Sequence, residues 1–325
     1  MEYLPATGPN RSRGTTPVNV SHLVTLASHI LAKRSDLQAR FTAADDETTA
    51  DALKDILRVG TSAGGARAKA IIAWNPETEE VRSGQLKAPE GFGYWLLKFD
   101  GVSGNKDKEK TDDPQGFGLI EYAYYLMAKD CGITMTECRL LKENGRNHFM
   151  TQRFDRTADG KKIHMQSLAA LAHYDFNVPG VNSYEQAMMV CRRIKAPNDS
   201  IEQMYRRMAF NIIARNQDDH VKNIAFLMDR KGNWALSPAF DMAYSYNPAG
   251  DWTSQHQMSM NGKRDGFTLQ DCNDCAKTAG LKQGQGARIV SEIQHVVSRW
   301  SEYAEVAGVD GWTIEAIAKA HRRLK

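Results

Sequence analysis

Hydrophobic periodicity changes character part-way along this 325-residue chain, and that change limits the fold more than any other feature. Ala68–Trp74, Tyr94–Phe99, Cys138–Leu141 and His148–Arg153 are short β-rich runs, the last two flanking the hairpin signal Asn144-Gly145. Beyond Arg153–Thr157 the apolar residues recur mainly at helical spacing. Ile201, Met204, Tyr205, Met208, Ile212 and Ile213 line Ser200–Arg215, and Arg288–Tyr303 and Thr313–Arg323 follow the same rule. Asp199 and Glu202 resemble a capping box at the start of the first stripe. One small hairpin, Ile224–Met228 with Trp234–Leu236, lies within this otherwise helical half. The expected architecture is α+β and two-lobed, and ligands favour the crevice between lobes. Residues 1–58 are expected to form an arm with helices at Ser21–Lys33 and Asp46–Leu57. Residues 59–153 would form the β-rich lobe, with a helix at Gly118–Asp130, and residues 154–325 the helical lobe.

Composition removes several functions. A net charge of +3 does not by itself argue for nucleic acid, and the basic tail His321-Arg322-Arg323-Leu324-Lys325 reads as a solvated helix end. Neither a secretory start nor an apolar run of membrane-spanning length is present, so the expected location is the cytoplasm, with no membrane partner. Five cysteines, an odd number, suit reduced thiols. Cys272-Asn-Asp-Cys275 lacks the second pair that a structural zinc site needs.

Chemistry concentrates in Arg215-Asn216-Gln217-Asp218-Asp219-His220-Val221-Lys222-Asn223, a polar loop between an amphipathic helix and a hairpin. The interval from Asp218 to Asn223 is that of a kinase catalytic loop, in which the Asp takes the acceptor proton and the Asn holds magnesium. One amide oxygen is too little for Mg2+, and Asp241, just after the hairpin in Ser237-Pro238-Ala239-Phe240-Asp241, is the next hard ligand. Taken alone, an Asp there is an ordinary turn residue. Lys98 closes the strand Tyr94–Leu97, where a point charge would meet phosphates, although strand-end lysines are ordinarily solvated. Glu121, on the following helix, either pairs with Lys98 or is an exposed helix charge. Gly60-Thr61-Ser62-Ala63-Gly64-Gly65-Ala66-Arg67-Ala68-Lys69 is neither G-x-G-x-x-G nor a Walker motif, yet its adjacent glycines would let backbone N–H groups approach phosphate. Each part is modest; their order is what predicts phosphoryl transfer from ATP.

From about Val59 onward these residues resemble the HipA family, the serine/threonine kinases that serve as toxins of HipBA toxin–antitoxin modules. The resemblance rests on Ser62-Ala-Gly-Gly-Ala-Arg-Ala-Lys69, the strand ending in Lys98, Gln152-Arg-Phe-Asp-Arg156, Asn216–Asn223 and Phe240-Asp241. It implies a bilobal protein-kinase-like fold with a β-rich N-lobe and a mainly helical C-lobe. Asp218 would be the catalytic base, with Asn223 and Asp241 on magnesium. Gly64, Gly65, Ala66, Arg67, Ala68, Lys69, Lys98, His220, Lys222, Asn223, Phe240 and Asp241 would line the ATP site, and the hinge Gln152, Arg153, Phe154 would hold adenine through backbone groups. Ser62 matches the serine whose autophosphorylation switches such kinases off. The implied partners are a helix-turn-helix antitoxin, DNA only through that antitoxin, and a protein substrate such as an aminoacyl-tRNA synthetase.

Two departures qualify the resemblance. Family members carry a front subdomain, of which Glu2-Tyr3-Leu4-Pro5-Ala6 resembles only the tail, and Ile120 precedes Glu121 where many members have Asn. A small-molecule kinase of similar layout and a non-enzymatic corepressor acting with a DNA-binding antitoxin are the alternative readings.

Overall fold

The computed structural model describes Pro17 and residues 19–21, 23–24, 61–62, 69–85, 87–101 and 116–325; the side chains of residues 61 and 62 are outside the description. Of the two expected N-terminal helices, only residues 21, 23 and 24 fall within it, and they are helical, as is Val20 before them. Residues 63–68 of the Gly-rich loop, Asp46–Leu57 and the expected charged loop at 105–113 lie outside the described residues. The chain divides into two compact units. One takes the described residues up to Gly118 with Glu137–Lys162, the other Leu119–Thr136 with Ile163–Lys325.

The first unit is an antiparallel sheet of β1 (Thr61–Ser62), β2 (Lys69–Trp74), β3 (Val81–Ser83), β4 (Gly93–Lys98), β5 (Cys138–Glu143) and β6 (Arg146–Gln152). Its order is β1-β2-β4-β6-β5, with β3 also on β2. Asn144 and Gly145 take φ of 43° and 78°, the two positive values a tight β5–β6 turn requires. Alternation sends Ala70, Ile72 and Trp74 of β2 and Trp95 and Leu97 of β4 into one core with Phe99, Met150, Leu23 and Val24. Lys69 and Lys98 therefore lie on the other face of the sheet.

The second unit holds the sheet β7 (His164–Ser167), β8 (Ala225–Met228), β9 (Trp234–Leu236) and most of the helices. Helix α1 (Phe117–Asp130) enters it at Leu119. Then come α2 (Leu168–Ala172), α3 (Tyr184–Arg193), α4 (Asp199–Ile213), α5 (Leu269–Thr278), α6 (Gln285–Val297), α7 (Trp300–Ala307) and α8 (Gly311–Ala320). The apolar stripe of α4 is buried along its length, from Met204 to Ile213, and packs against α3 and α6.

Four local expectations need correction. Asp199 is the first residue of α4 and not its cap, and Asn198 before it makes no side-chain cap bond. The reciprocal capping boxes are Ser183 with Gln186 and Thr268 with Asp271. Arg288–Tyr303 is two helices, because the break at Ser298–Arg299 redirects the chain so that Trp300 is buried and its indole N–H reaches Ile314 O at 3.1 Å. Between α4 and α5 the chain is largely irregular instead of helical. The basic tail is packed, with Arg322 N–H donating to Ile213 O at 2.9 Å and Leu324 buried. Cys272 and Cys275 sit buried on α5, and burial pushes the Cys272 thiol up to about 12. Among the described residues no helix is long and apolar enough to cross a membrane.

Candidate active site

The loop after α4 is fixed before any side chain acts. Ala214 caps the helix, Arg215 turns through φ 59°, and Asn216 N–H returns to Asn211 O at 3.0 Å. Asn223 Nδ2 donates to Asp218 O at 2.9 Å, and Asp218 N–H donates to Ser245 Oγ at 3.2 Å. The D-x-x-x-x-N interval is thus a closed ring whose two ends hold each other. Because the Asn223 amide nitrogen is committed, its remaining polar atom is the oxygen that a hard cation takes.

Asp218 and Asp219 have opposite environments. The Asp218 side chain is 44% exposed, and Trp252 Nε1–H donates to its Oδ1 at 2.8 Å. Burial of the loop pushes its carboxyl above the usual range; His220 and Trp252 oppose this, while Asp241 reinforces it. Asp219 is fully buried and accepts from Tyr184 Oη at 2.6 Å, Gln257 N–H at 2.7 Å and His256 Nδ1 at 2.8 Å. Burial alone would raise Asp219, but His256 and the other donors outweigh it and hold the carboxyl below its usual value.

Asp241 follows β9 with φ 55° and is close enough for its charge to act on Asp218. Beneath this segment lies a small cavity of ≈ 20 Å³ lined by Arg207, Asp219, His220, Asn223 and Asp241 among others. Arg207 is buried and donates to Ser237 O at 2.6 Å, whereas its Nε and Nη1, and His220 Nδ1, find no hydrogen-bond partner among the described residues. His220 packs edge-on to Phe176, and the exposed Lys222 lies over the same ring at 3.1 Å. Phe240 and Asp241 are half-buried, and Glu121 is buried on α1.

In the first unit, cross-strand register places Ser62, Lys69, Lys98 and Phe149 in one row across β1, β2, β4 and β6. Lys98 is buried and sits 5.6 Å from the Phe149 ring centre. Two cations in directly opposed positions favour an anion beside them. At the hinge, Gln152 N–H donates to Glu137 O and Arg153 N–H to Tyr94 O, both at 2.8 Å. Arg153 also clasps Asp155 through Nε and Nη2 at 2.8 and 2.7 Å. Those two N–H groups are thus engaged within the unit and not on offer to a base.

The donor set fits a phosphate-bound Mg2+, which takes one or two protein oxygens and leaves the rest to water and phosphate. Asn223 and Asp241 supply such oxygens. Among the described residues no group of three His, Cys, Asp or Glu side chains forms a cage for a metal.

A model of the HipA-like C-terminal domain matches residues 61–300. The chain belongs to this HipA-like family. Its fold is similar to that of HipA from Shewanella oneidensis MR-1, solved with HipB and operator DNA. The TM-score is 0.64 at 14% identity, covering 97% of this chain and 71% of that one. A second similarity is to the Helicobacter pylori proinflammatory kinase CtkA, with TM-score 0.42, 12% identity and coverage of 70% and 90%. No curated protein matches the sequence. The fold is α+β, as the change of hydrophobic periodicity implied, and HipA-like.

Sequence reasoning missed the strap Trp252–Gln257. It contributes Trp252 to Asp218 and both His256 and Gln257 to Asp219, and Gln217 Nε2 ties it down through Thr253 O at 3.0 Å. Its only signal was two aromatic or imidazole side chains in an otherwise polar stretch.

Proposed function

We propose that this HipA-like chain is an ATP- and Mg-dependent serine/threonine protein kinase that arrests growth by phosphorylating a protein such as an aminoacyl-tRNA synthetase. The observation that carries this reading is the ring Asp218–Asn223 with the Asp241 carboxylate near enough to raise Asp218. Two carboxylates and an amide oxygen so placed call for a divalent cation, and phosphoryl transfer is the chemistry that uses one beside a base. Asp218 takes the proton of the acceptor hydroxyl, its raised pKa suiting a base better than an ordinary surface carboxylate. Asn223 and Asp241 are the residues that would hold Mg2+, which neutralises phosphate charge when bound. Lys69 and Lys98 bind the phosphates as point charges, with Gly64, Gly65, Ala66, Arg67 and Ala68 completing the cradle. His220, Lys222 and Phe240 complete the nucleotide site. With two hinge N–H groups engaged internally, adenine recognition at Gln152–Phe154 falls to the remaining backbone groups. Ser62, in register with Lys69, is the self-phosphorylation site whose phosphate would compete for the same cations. The antitoxin partner is a helix-turn-helix protein, consistent with the HipB and operator DNA bound to the Shewanella relative.

The test is transfer of label from γ-labelled ATP in Mg2+ to Ser62 and to lysate proteins, run beside Asp218→Ala. The expected result is labelled protein with wild type and at least a ~10³-fold loss in the variant. Equal labelling by the variant, or a labelled small molecule with no labelled protein, would reject the reading.

A further inference from the structure

We propose that Trp252 is a positioning residue of the transfer site: its indole N–H fixes the Asp218 carboxylate through Oδ1 and presents Oδ2 to the acceptor hydroxyl. The proposal rests on the reading of Asp218 as the base and goes beyond it, because it assigns the two carboxylate oxygens different tasks.

The main chain of Asp218 is pinned on both sides, by Ser245 Oγ on its N–H and Asn223 Nδ2 on its carbonyl. The side chain is held much less. The Trp252 indole at 2.8 Å is its one hydrogen bond among the described residues. His220 Nε2 stands 3.7 Å from the same Oδ1, too far to hold it. Without the indole, the half-exposed carboxylate would rotate about its last torsion, which is broad and roughly two-fold, and reactive geometry would be visited only part of the time.

Indole suits this task because it donates and cannot accept. It orients the carboxylate without taking the proton that Asp218 must accept. The indole is itself anchored to the loop it serves. Gln257 Nε2 donates to Trp252 O, and the Gln257 N–H donates to Asp219 Oδ1 at 2.7 Å. Gln217 Nε2 donates to the next carbonyl, Thr253 O, at 3.0 Å. The strap and the loop therefore move as one piece, and the position of Trp252 relative to Asp218 is set by bonds that do not involve Asp218.

A packing role alone would survive Trp252→Phe, which keeps an aromatic ring and removes only the donor. Transfer rates are measured for wild type and Trp252→Phe, with thermal melts confirming that both fold. Expected is a fall in kcat of about 10-fold with KM for ATP within about 2-fold. In parallel, the Trp252 indole N–H resonance of 15N-labelled wild type is compared at neutral pH with that of Asp218→Ala. It should lie downfield in wild type, as a hydrogen-bonded N–H does, and move upfield in the variant. An active wild type whose kcat is unchanged in Trp252→Phe overturns the proposal and leaves the kinase reading standing. An inactive wild type whose indole resonance does move in Asp218→Ala instead sinks the kinase reading and leaves the contact. An indole resonance blind to Asp218 overturns the proposal whatever the activity.

Discussion

Lys69 and Lys98 occupy directly opposed positions of β2 and β4, on the face of the sheet away from the aromatic core. Like charges in opposed positions repel, so a phosphate beside both would gain from each. Lys98→Met should weaken ATP binding by about 10-fold or more, the cost of one desolvated charge-assisted contact. Calorimetric titration reads this directly. Saturating ATP should also raise the melting temperature of wild type more than that of the variant, since stabilisation follows ligand over Kd. Equal affinities would remove Lys98 from the nucleotide site.

Asp219 and His256 form a second pair, with neither side chain reached by solvent. Arg322 Nη1 lies 2.7 Å from His256 Nε2, and because a guanidinium only donates, the imidazole proton sits on Nδ1 and donates to Asp219. Asp219 therefore faces three donors. Asn in its place has one acceptor oxygen and an NH2 that opposes the rest, so Asp219→Asn should lose about 2–4 kcal/mol in urea unfolding at neutral pH. The folded-state pKa is depressed, so this contribution is present above the unfolded value near ~3.9 and is lost as pH falls through the lower folded value. Below about pH 4 the variant should thus lose stability less steeply than wild type.

His321 predicts a different window. Burial, with help from Arg215, lowers it to about 4, and its Nε2 lies 3.0 Å from Tyr124 Oη beside Trp300. The neutral imidazole is the native form. Its contribution is complete above the unfolded pKa near ~6.5 and lost as pH falls towards 4. The loss should approach about 3 kcal/mol, and His321→Gln should flatten it. Unfolding curves at pH 7.0 and 4.5 that shift equally in both proteins would exclude His321 as the cause.

Helix packing gives a prediction free of charge effects. A Cβ on Gly286 would stand 2.5 Å from Ala276 Cβ and 2.9 Å from Tyr205 Oη, so α4, α5 and α6 meet where only a hydrogen fits. Tyr205 is itself held there by its bond to Cys272 O at 2.9 Å. Gly286→Val should cost about 3 kcal/mol or more through overpacking, seen as a lower urea midpoint at unchanged slope. A midpoint equal to wild type would mean that these helices separate freely.

Legibility of the fold in the sequence tracked the range of the interactions. β6, β5 and their turn were readable because alternation and Asn144-Gly145 are local, as was the stripe of α4. The break at Ser298–Arg299 was not, because what decides it is the burial of Trp300 against α8. The same holds at the candidate site. Asp218, Asn223 and Asp241 were found by spacing along one loop and one hairpin. Trp252, His256 and Gln257 reach Asp218 and Asp219 across 34 to 38 residues of chain without regular periodicity, so no local pattern pointed to them. The basic tail was misread for the same reason, since the partners of Arg322 lie on α4, the loop after it and the strap.

The charge of Asp241 offers a check on the site that does not need turnover. Asp241 pushes the Asp218 carboxyl up, whereas the Trp252 N–H pulls it down. Asp241→Asn removes the repulsion while keeping side-chain size, so Asp218 should titrate at lower pH than in wild type. The same substitution takes away one of the two protein oxygens available to a cation beside Asn223, so Mn2+ binding in the presence of nucleotide, followed by electron paramagnetic resonance, should weaken by about 10-fold or more. Wild type saturated with Mg2+ and nucleotide should resemble the variant in its Asp218 titration, because a bound cation cancels the charge that the substitution deletes. If Asp218 titrates identically in wild type and Asp241→Asn, the two carboxylates do not share one electrostatic site. The placement of a metal between Asn223 and Asp241 would then be wrong.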